Sequence, residues 1–166
     1  MALFVTTQKI YDAFYDDYGT GKAFMHSHTY SGNPLACSAA NAVLDIMEDG
    51  SVLKRAQENA VYFNNMIKEK FLSHPNVGEV RHIGLVNAIE LVEDKQSKKP
   101  FDSRLRTGYQ IYKKALMEGV ILRPLGDVIY FNPPLIMERK DMDYVTDIAV
   151  KCLNEILPQQ NYALNK

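Results

Sequence analysis

The 166-residue sequence predicts an α+β domain in which helices pack on a small, mainly antiparallel sheet. Three observations carry this reading. Leu53, Ala56, Ala60, Phe63, Ile67 and Phe71 recur at steps of three and four, the spacing of one helix face. Met142, Val145, Ala149, Cys152 and Ile156 repeat that spacing near the end of the chain. Between the two lie β-leaning runs broken by turn residues: Val77 to Val92 with Gly84 inside it, then Val120 to Leu122 and Val128 to Phe131 joined through Pro124-Leu125-Gly126-Asp127.

The elements follow in order. Met1 to Thr6 is a short apolar run that predicts a strand with no partner nearby in sequence, and Ile10 and Phe14, with Tyr11 and Tyr15, give a short helical face ending near Tyr18-Gly19. Asn33 suits an N-cap, and Pro34 the first helical position, where its missing N–H is not needed. Leu35 to Met47 then reads as helix, with Leu35, Ala39, Val43, Ile46 and Met47 on its apolar face, stopping at Asp49-Gly50. Ser51 can cap the next helix, which runs to Ser73-His74-Pro75. Within Val77 to Val92, Val86 to Val92 predicts a core strand and Gly84 a bend or a close backbone approach. Asp94 to Asp102, rich in lysine, reads as a solvated loop. Asp102 or Ser103 can start a helix through Leu105, Tyr109, Tyr112 and Leu116 that ends at Gly119. The turn between the last two β runs holds Arg123 near Tyr130, Asn132-Pro133-Pro134 breaks the second run, and the final helix ends before Pro158.

Composition narrows the function classes. With 19 basic and 20 acidic residues, a net charge of -1 and 46% hydrophobic content, the chain has no electrostatic footprint for nucleic acid or an anionic membrane surface. No apolar run reaches the length of a membrane span, and the start of the chain lacks the basic region of a signal peptide, so a cytoplasmic protein with small-molecule or protein partners is expected. Cys37 and Cys152 lack metal-type spacing and read as small packed residues.

Phe24 to Asn33 is a polar loop that runs directly into a helix. The hydroxyls of Ser27, Thr29, Tyr30 and Ser31, with backbone N–H groups, suit a phosphate or carboxylate; an ordinary capped turn explains the same composition. Gly19-Thr20-Gly21-Lys22 is not a nucleotide-binding P-loop, because the spacer between its glycines is too short and Ala23 stands where a Ser or Thr is required. His26 and His28 lack a carboxylate or Cys cluster at matching spacing, so no metal is expected.

Taken as a string, Phe24-Met25-His26-Ser27-His28-Thr29-Tyr30-Ser31-Gly32-Asn33-Pro34-Leu35-Ala36-Cys37, with Val120-Ile121-Leu122-Arg123-Pro124-Leu125-Gly126-Asp127-Val128-Ile129-Tyr130, resembles the class III pyridoxal-phosphate aminotransferases. The resemblance covers nearly the whole chain. It implies a fold type I homodimer in which a loop of one subunit reaches the pyridoxal 5'-phosphate of the other. Thr29 matches the family's phosphate-binding threonine, and Ser27 and His28 the residues just before it. Arg123 matches the arginine that receives a substrate carboxylate, and Tyr130 an aromatic position shaping the substrate site. Asp127 to Pro134 favours the biotin-pathway branch, which moves an amino group from S-adenosylmethionine to 8-amino-7-oxononanoate to give 7,8-diaminononanoate. Transaminases of ω-amino acids or diamines share the two patterns.

The resemblance also implies what to expect of the chain's extent. The family's Schiff-base lysine lies shortly before the stretch matched by Leu3-Phe4-Val5-Thr6-Thr7, so it falls upstream of Met1, and no catalytic residue is assigned. Residues 1–50 then correspond to the tail of the large cofactor-binding domain with loop 24–33 and the helix after it, 51–158 to the C-terminal small domain, and 159–166 to a tail. Such a segment is expected to be inactive alone. A gene remnant, or a half-protein docking on a separate N-terminal half, is the non-enzymatic alternative.

Overall fold

The computed structural model describes residues 2–163, and side chains over residues 2–157. Its backbone forms two compact units, Met1–Asp49 and Gly50–Lys166.

The first unit holds two helices, α1 (Gln8–Phe14) and α2 (Pro34–Met47), with a single 3-10 turn at Tyr18–Thr20. Residues 2–6, predicted as a strand, are irregular. An extended segment becomes a strand only against a partner ladder, and the described residues of this unit hold no other strand. Helix α2 begins as the sequence predicts: Asn33 Oδ1 accepts the Ala36 N–H at 3.0 Å, and Pro34 occupies the first turn. No residue of 2–49 is buried, and large apolar side chains stand in solvent, Phe4 at 87% and Leu35 at 80% exposure among them.

The second unit is the α+β layer expected. Helices α3 (Ser51–Phe71), α4 (Thr107–Met117) and α5 (Arg139–Ala163) accompany β1 (Val77–Ile83), β2 (Val86–Leu91), β3 (Arg123–Leu125) and β4 (Val128–Phe131). The strands form one antiparallel sheet in the order β1-β2-β4-β3. Because strand side chains alternate, Asn87, Ile89 and Leu91 of β2 and Ile129 and Phe131 of β4 turn into the core. There Phe131 meets the fully buried Phe63 of α3 edge-on, ring centres 5.6 Å apart, and Phe71 at 6.4 Å. The opposite face of the sheet carries a cross-strand row, Arg81, Ala88, Tyr130 and Arg123, each paired with the next.

Several boundaries differ from expectation for local reasons. Gly50, in the left-handed region with φ 72°, precedes α3, so Ser51 is its first residue rather than its cap. Gly84 (φ 54°) makes the turn between β1 and β2, and a Cβ there would meet nothing within 4 Å, so the bend is real and the close approach is not. The Asp102 carboxylate caps only a 3-10 turn, Ser103–Leu105, and α4 starts after Arg106. Val120 to Leu122 is not a strand. Its Val120 N–H bonds back to Ala115 O at 2.9 Å, closing the end of α4, so pairing starts three residues later, at Arg123. Backbone helix α5 continues past Pro158 to Ala163, since a proline removes one hydrogen bond without forbidding the turns that follow.

Phe63→Ala should lower the unfolding free energy by about 3–5 kcal/mol, read in urea titrations of the core signal. A second expectation concerns His74, whose Nδ1 accepts the Asn76 N–H at 3.0 Å. Burial pushes its pKa below the ordinary 6.5, outweighing a hydrogen bond with Asn154, and Lys95 lowers it further. The unfolded chain therefore binds the proton more readily. Stability contributed by neutral His74 is complete above pH 6.5 and falls as the pH drops from there to the depressed folded value. Urea midpoints across that window should show the fall, and His74→Asn should flatten it.

Candidate functional site

The loop before α2 is organised by its own backbone. Ser31 N–H donates to His28 O at 2.9 Å, and His28 N–H donates to the Ser31 hydroxyl at 3.2 Å. This closes a turn with Thr29 and Tyr30 at its centre. A second bond, Asn33 N–H to Tyr30 O at 3.1 Å, carries the chain into the cap of α2. The His28 ring stands edge-on to His26, centres 5.2 Å apart. Ser27, His28 and Thr29 are all exposed, and the Thr29 hydroxyl and N–H have no hydrogen-bond partner among the described residues. No group of three His, Cys, Asp or Glu able to hold a metal occurs among the described residues.

The second group lies on β3 and β4. Their register, Leu125↔Val128, Pro124↔Ile129 and Arg123↔Tyr130, leaves Gly126 and Asp127 as a two-residue turn, with Gly126 at φ 60° in the place such turns reserve for glycine. Arg123 and Tyr130 therefore stand opposite each other on the sheet face away from the core. The Arg123 guanidinium carbon lies 5.8 Å from the Tyr130 ring centre, and among the described residues it forms no ion pair. Arg81, at the other end of the row, is instead committed to Glu79 at 2.9 Å and to Glu90; the carboxylates of Glu90 and then Glu79 hold its pKa above the ordinary value. The Arg81 guanidinium on this face is thus neutralised, and the Arg123 guanidinium has no carboxylate partner among the described residues.

Two features here were not read from the sequence. The Arg81 cluster was visible in principle as the polar half of the alternation along 79–90. The contact between Asp127 and Gly108, described below, joins residues 19 apart and left no local signal.

A family model for class-III aminotransferases matches residues 1–153. The chain belongs to the class-III aminotransferases. It is 40% identical over 157 residues to an uncharacterized aminotransferase, y4uB, of Sinorhizobium fredii, covering 93% of this chain and 34% of that one. It is 38% identical over 156 residues to the adenosylmethionine-8-amino-7-oxononanoate aminotransferase of Aquifex aeolicus, covering 94% and 34%. The crystal structure of the enzyme of that name from Methanocaldococcus jannaschii superposes with a TM-score of 0.79 at 36% identity, over 91% of this chain and 34% of that one. The chain spans about a third of the length of the curated relatives it matches.

The cofactor of the family is pyridoxal phosphate. The loop offers donors of the kind a phosphate takes: a Thr29 hydroxyl and N–H without a partner among the described residues, at the apex of a turn that feeds a capped helix N-terminus. No helix among the described residues is long and apolar enough to cross a membrane.

Asn33→Ala should cost α2 about 1 kcal/mol and speed amide exchange at Ala36, whereas Asn33→Asp should keep the cap; exchange mass spectrometry of peptides over 34–40 reads both.

Proposed function

We propose that this chain supplies the anion-receiving parts of a biotin-pathway aminotransferase that transfers an amino group from S-adenosylmethionine to 8-amino-7-oxononanoate. The observation that carries the reading is an Arg123 without an ion-pair partner among the described residues, opposite Tyr130 on a short hairpin, in a chain 38% identical to an enzyme of that name over 94% of this chain. In this reading residues 1–50 are the tail of the large domain and 51–158 the small domain. Thr29, with Ser27 and His28 beside it, binds the cofactor phosphate of the second subunit of a homodimer.

Pyridoxal phosphate supplies the electron sink that lets a proton leave the carbon bearing the amino group. The chain's own residues bind and orient. Thr29 donates its hydroxyl and N–H to phosphate oxygens. Arg123 offers its planar fork to a substrate carboxylate, two parallel hydrogen bonds that fix the direction of the attached chain. The Tyr130 ring, its centre 5.8 Å from the guanidinium carbon, walls the same side. Both substrates named above carry a carboxylate that such an arginine can receive.

A second reading keeps the family and changes the substrate. The relative from Sinorhizobium fredii is as similar as the biotin-pathway enzymes and carries no named substrate. Transfer to other carboxylate-bearing amines uses the same arginine.

The test joins this chain to the upstream part of the Aquifex aeolicus relative and asks for growth without biotin in a strain lacking that aminotransferase. Growth supports the biotin-pathway reading; transamination of other ω-amino acids without growth supports the second. In the joined enzyme Arg123→Ala should cost about 2–5 kcal/mol in kcat/KM with cofactor retention intact. Arg123→Lys should recover only part of it. Thr29→Ala should weaken cofactor retention, followed by absorbance after gel filtration, while substrate preference stays. Loss of cofactor from Arg123→Ala, with unchanged kinetics at saturating cofactor, would reverse the assignment.

A further inference from the structure

Strand β3 is three residues long, lies at the sheet edge and is exposed over most of its length. A strand so placed has a ladder on one side only and frays unless something holds it. The hold comes at the turn. The Asp127 carboxylate, through Oδ1, accepts the Gly108 N–H of the first turn of α4 at 3.3 Å, and the Asp127 carbonyl accepts the Leu91 N–H of β2 at 2.9 Å. Gly108 lets the backbones approach: a Cβ there would lie 2.2 Å from Gly126 O and 3.4 Å from Pro124 Cβ, so only glycine fits. Thr107 and Gly108 are buried at this contact. A cavity of about 240 Å³ opens beside it, lined by Ser103, Arg106, Tyr109, Pro124, Gly126 and Asp127. The Arg106 guanidinium stays stacked 4.1 Å over the Tyr109 ring.

We propose that Gly108 and Asp127 are positioning residues that clamp the 126–127 turn to α4 and thereby set where Arg123 stands against Tyr130. The functional meaning rests on Arg123 receiving a carboxylate; the clamp itself does not. β4 is fixed on its other side by β2, so a shift of the turn passes along the edge strand β3, from Leu125↔Val128 to Arg123↔Tyr130, three residues to the guanidinium-bearing position. Burial raises the Asp127 carboxyl above its ordinary pKa, and the Gly108 N–H, which favours the charged form, partly offsets that.

The experiment uses the 166-residue chain labelled with ¹⁵N-arginine. Two readouts report on the hairpin: the Overhauser contact between the Arg123 guanidinium and the Tyr130 ring, and amide exchange across 123–131 against exchange in α3. In Asp127→Ala the contact should vanish and hairpin amides should exchange about tenfold faster, with α3 unchanged. Asp127→Asn keeps an acceptor for Gly108 and should restore both. Gly108→Ala attacks the same contact by crowding and should reproduce the Asp127→Ala result with the carboxylate intact. Three results would overturn the clamp: no change in either variant, loosening of α3 or loss of the folded unit together with the hairpin, or Asp127→Asn behaving as Asp127→Ala. None of these readouts involves a carboxylate ligand. If they come out as expected while Arg123→Ala leaves the kinetics of the joined enzyme untouched, the clamp stands and the carboxylate role falls; the reverse pattern removes the clamp alone.

Discussion

The register of β4 governs the second unit. Four residues, Val128 to Phe131, send Ile129 and Phe131 into the core against α3 and leave Tyr130 on the bare face opposite Arg123. A slip of one residue would put the tyrosine into the aromatic cluster and Phe131 into solvent, losing both core and site together. The burial of Phe131 against Phe63 and Phe71 is therefore also what orients the arginine's neighbour. Stability and site geometry are two faces of one strand.

Where the sequence was legible, a strong local rule and the tertiary outcome agreed. The apolar stripe of α3 needs no partner to be recognised, and Asn33-Pro34 marks the start of α2 by chemistry confined to one turn. The Gly126 turn brought Arg123 and Tyr130 together as expected. Misreadings came where a β-leaning run had to be placed by its partners. Val120 and Leu122 are buried as a linker closing α4 rather than paired, and residues 2–6 have the composition of a strand without a ladder. The roles of Ser27, His28 and Thr29 rest on family wording. Their exposed loop has the donors for a phosphate, but donors of that kind occur in many turns.

The two units differ in kind. Gly50–Lys166 closes a core in which Phe63, Ile67 and Ile111 are wholly inaccessible, while the described residues of Met1–Asp49 bury nothing. Helix α2 shows how this looks at residue level: Leu35, Val43 and Ile46, on its apolar face, are exposed. Its cap and its small residues specify a helix, and no surface within its own unit covers it. Local rules thus suffice to form a helix that tertiary packing has not yet claimed.

Pro124 has a consequence for what can approach the sheet. In a two-residue hairpin closed by Leu125 and Val128, the next pair outward does not exchange ladder bonds, so the nitrogen of Pro124 faces the open side of β3. The outer rim of the sheet there lacks the donor that an incoming strand would seek. At the other rim, β1 is kinked by the irregularity between Val77 and Glu79 and carries charged Glu79 and Arg81. Both margins are poor templates for strand addition, so a visiting chain or molecule meets side chains before backbone. What the unit presents most openly is the flat of the sheet, where the Arg123 guanidinium stands beside Tyr130.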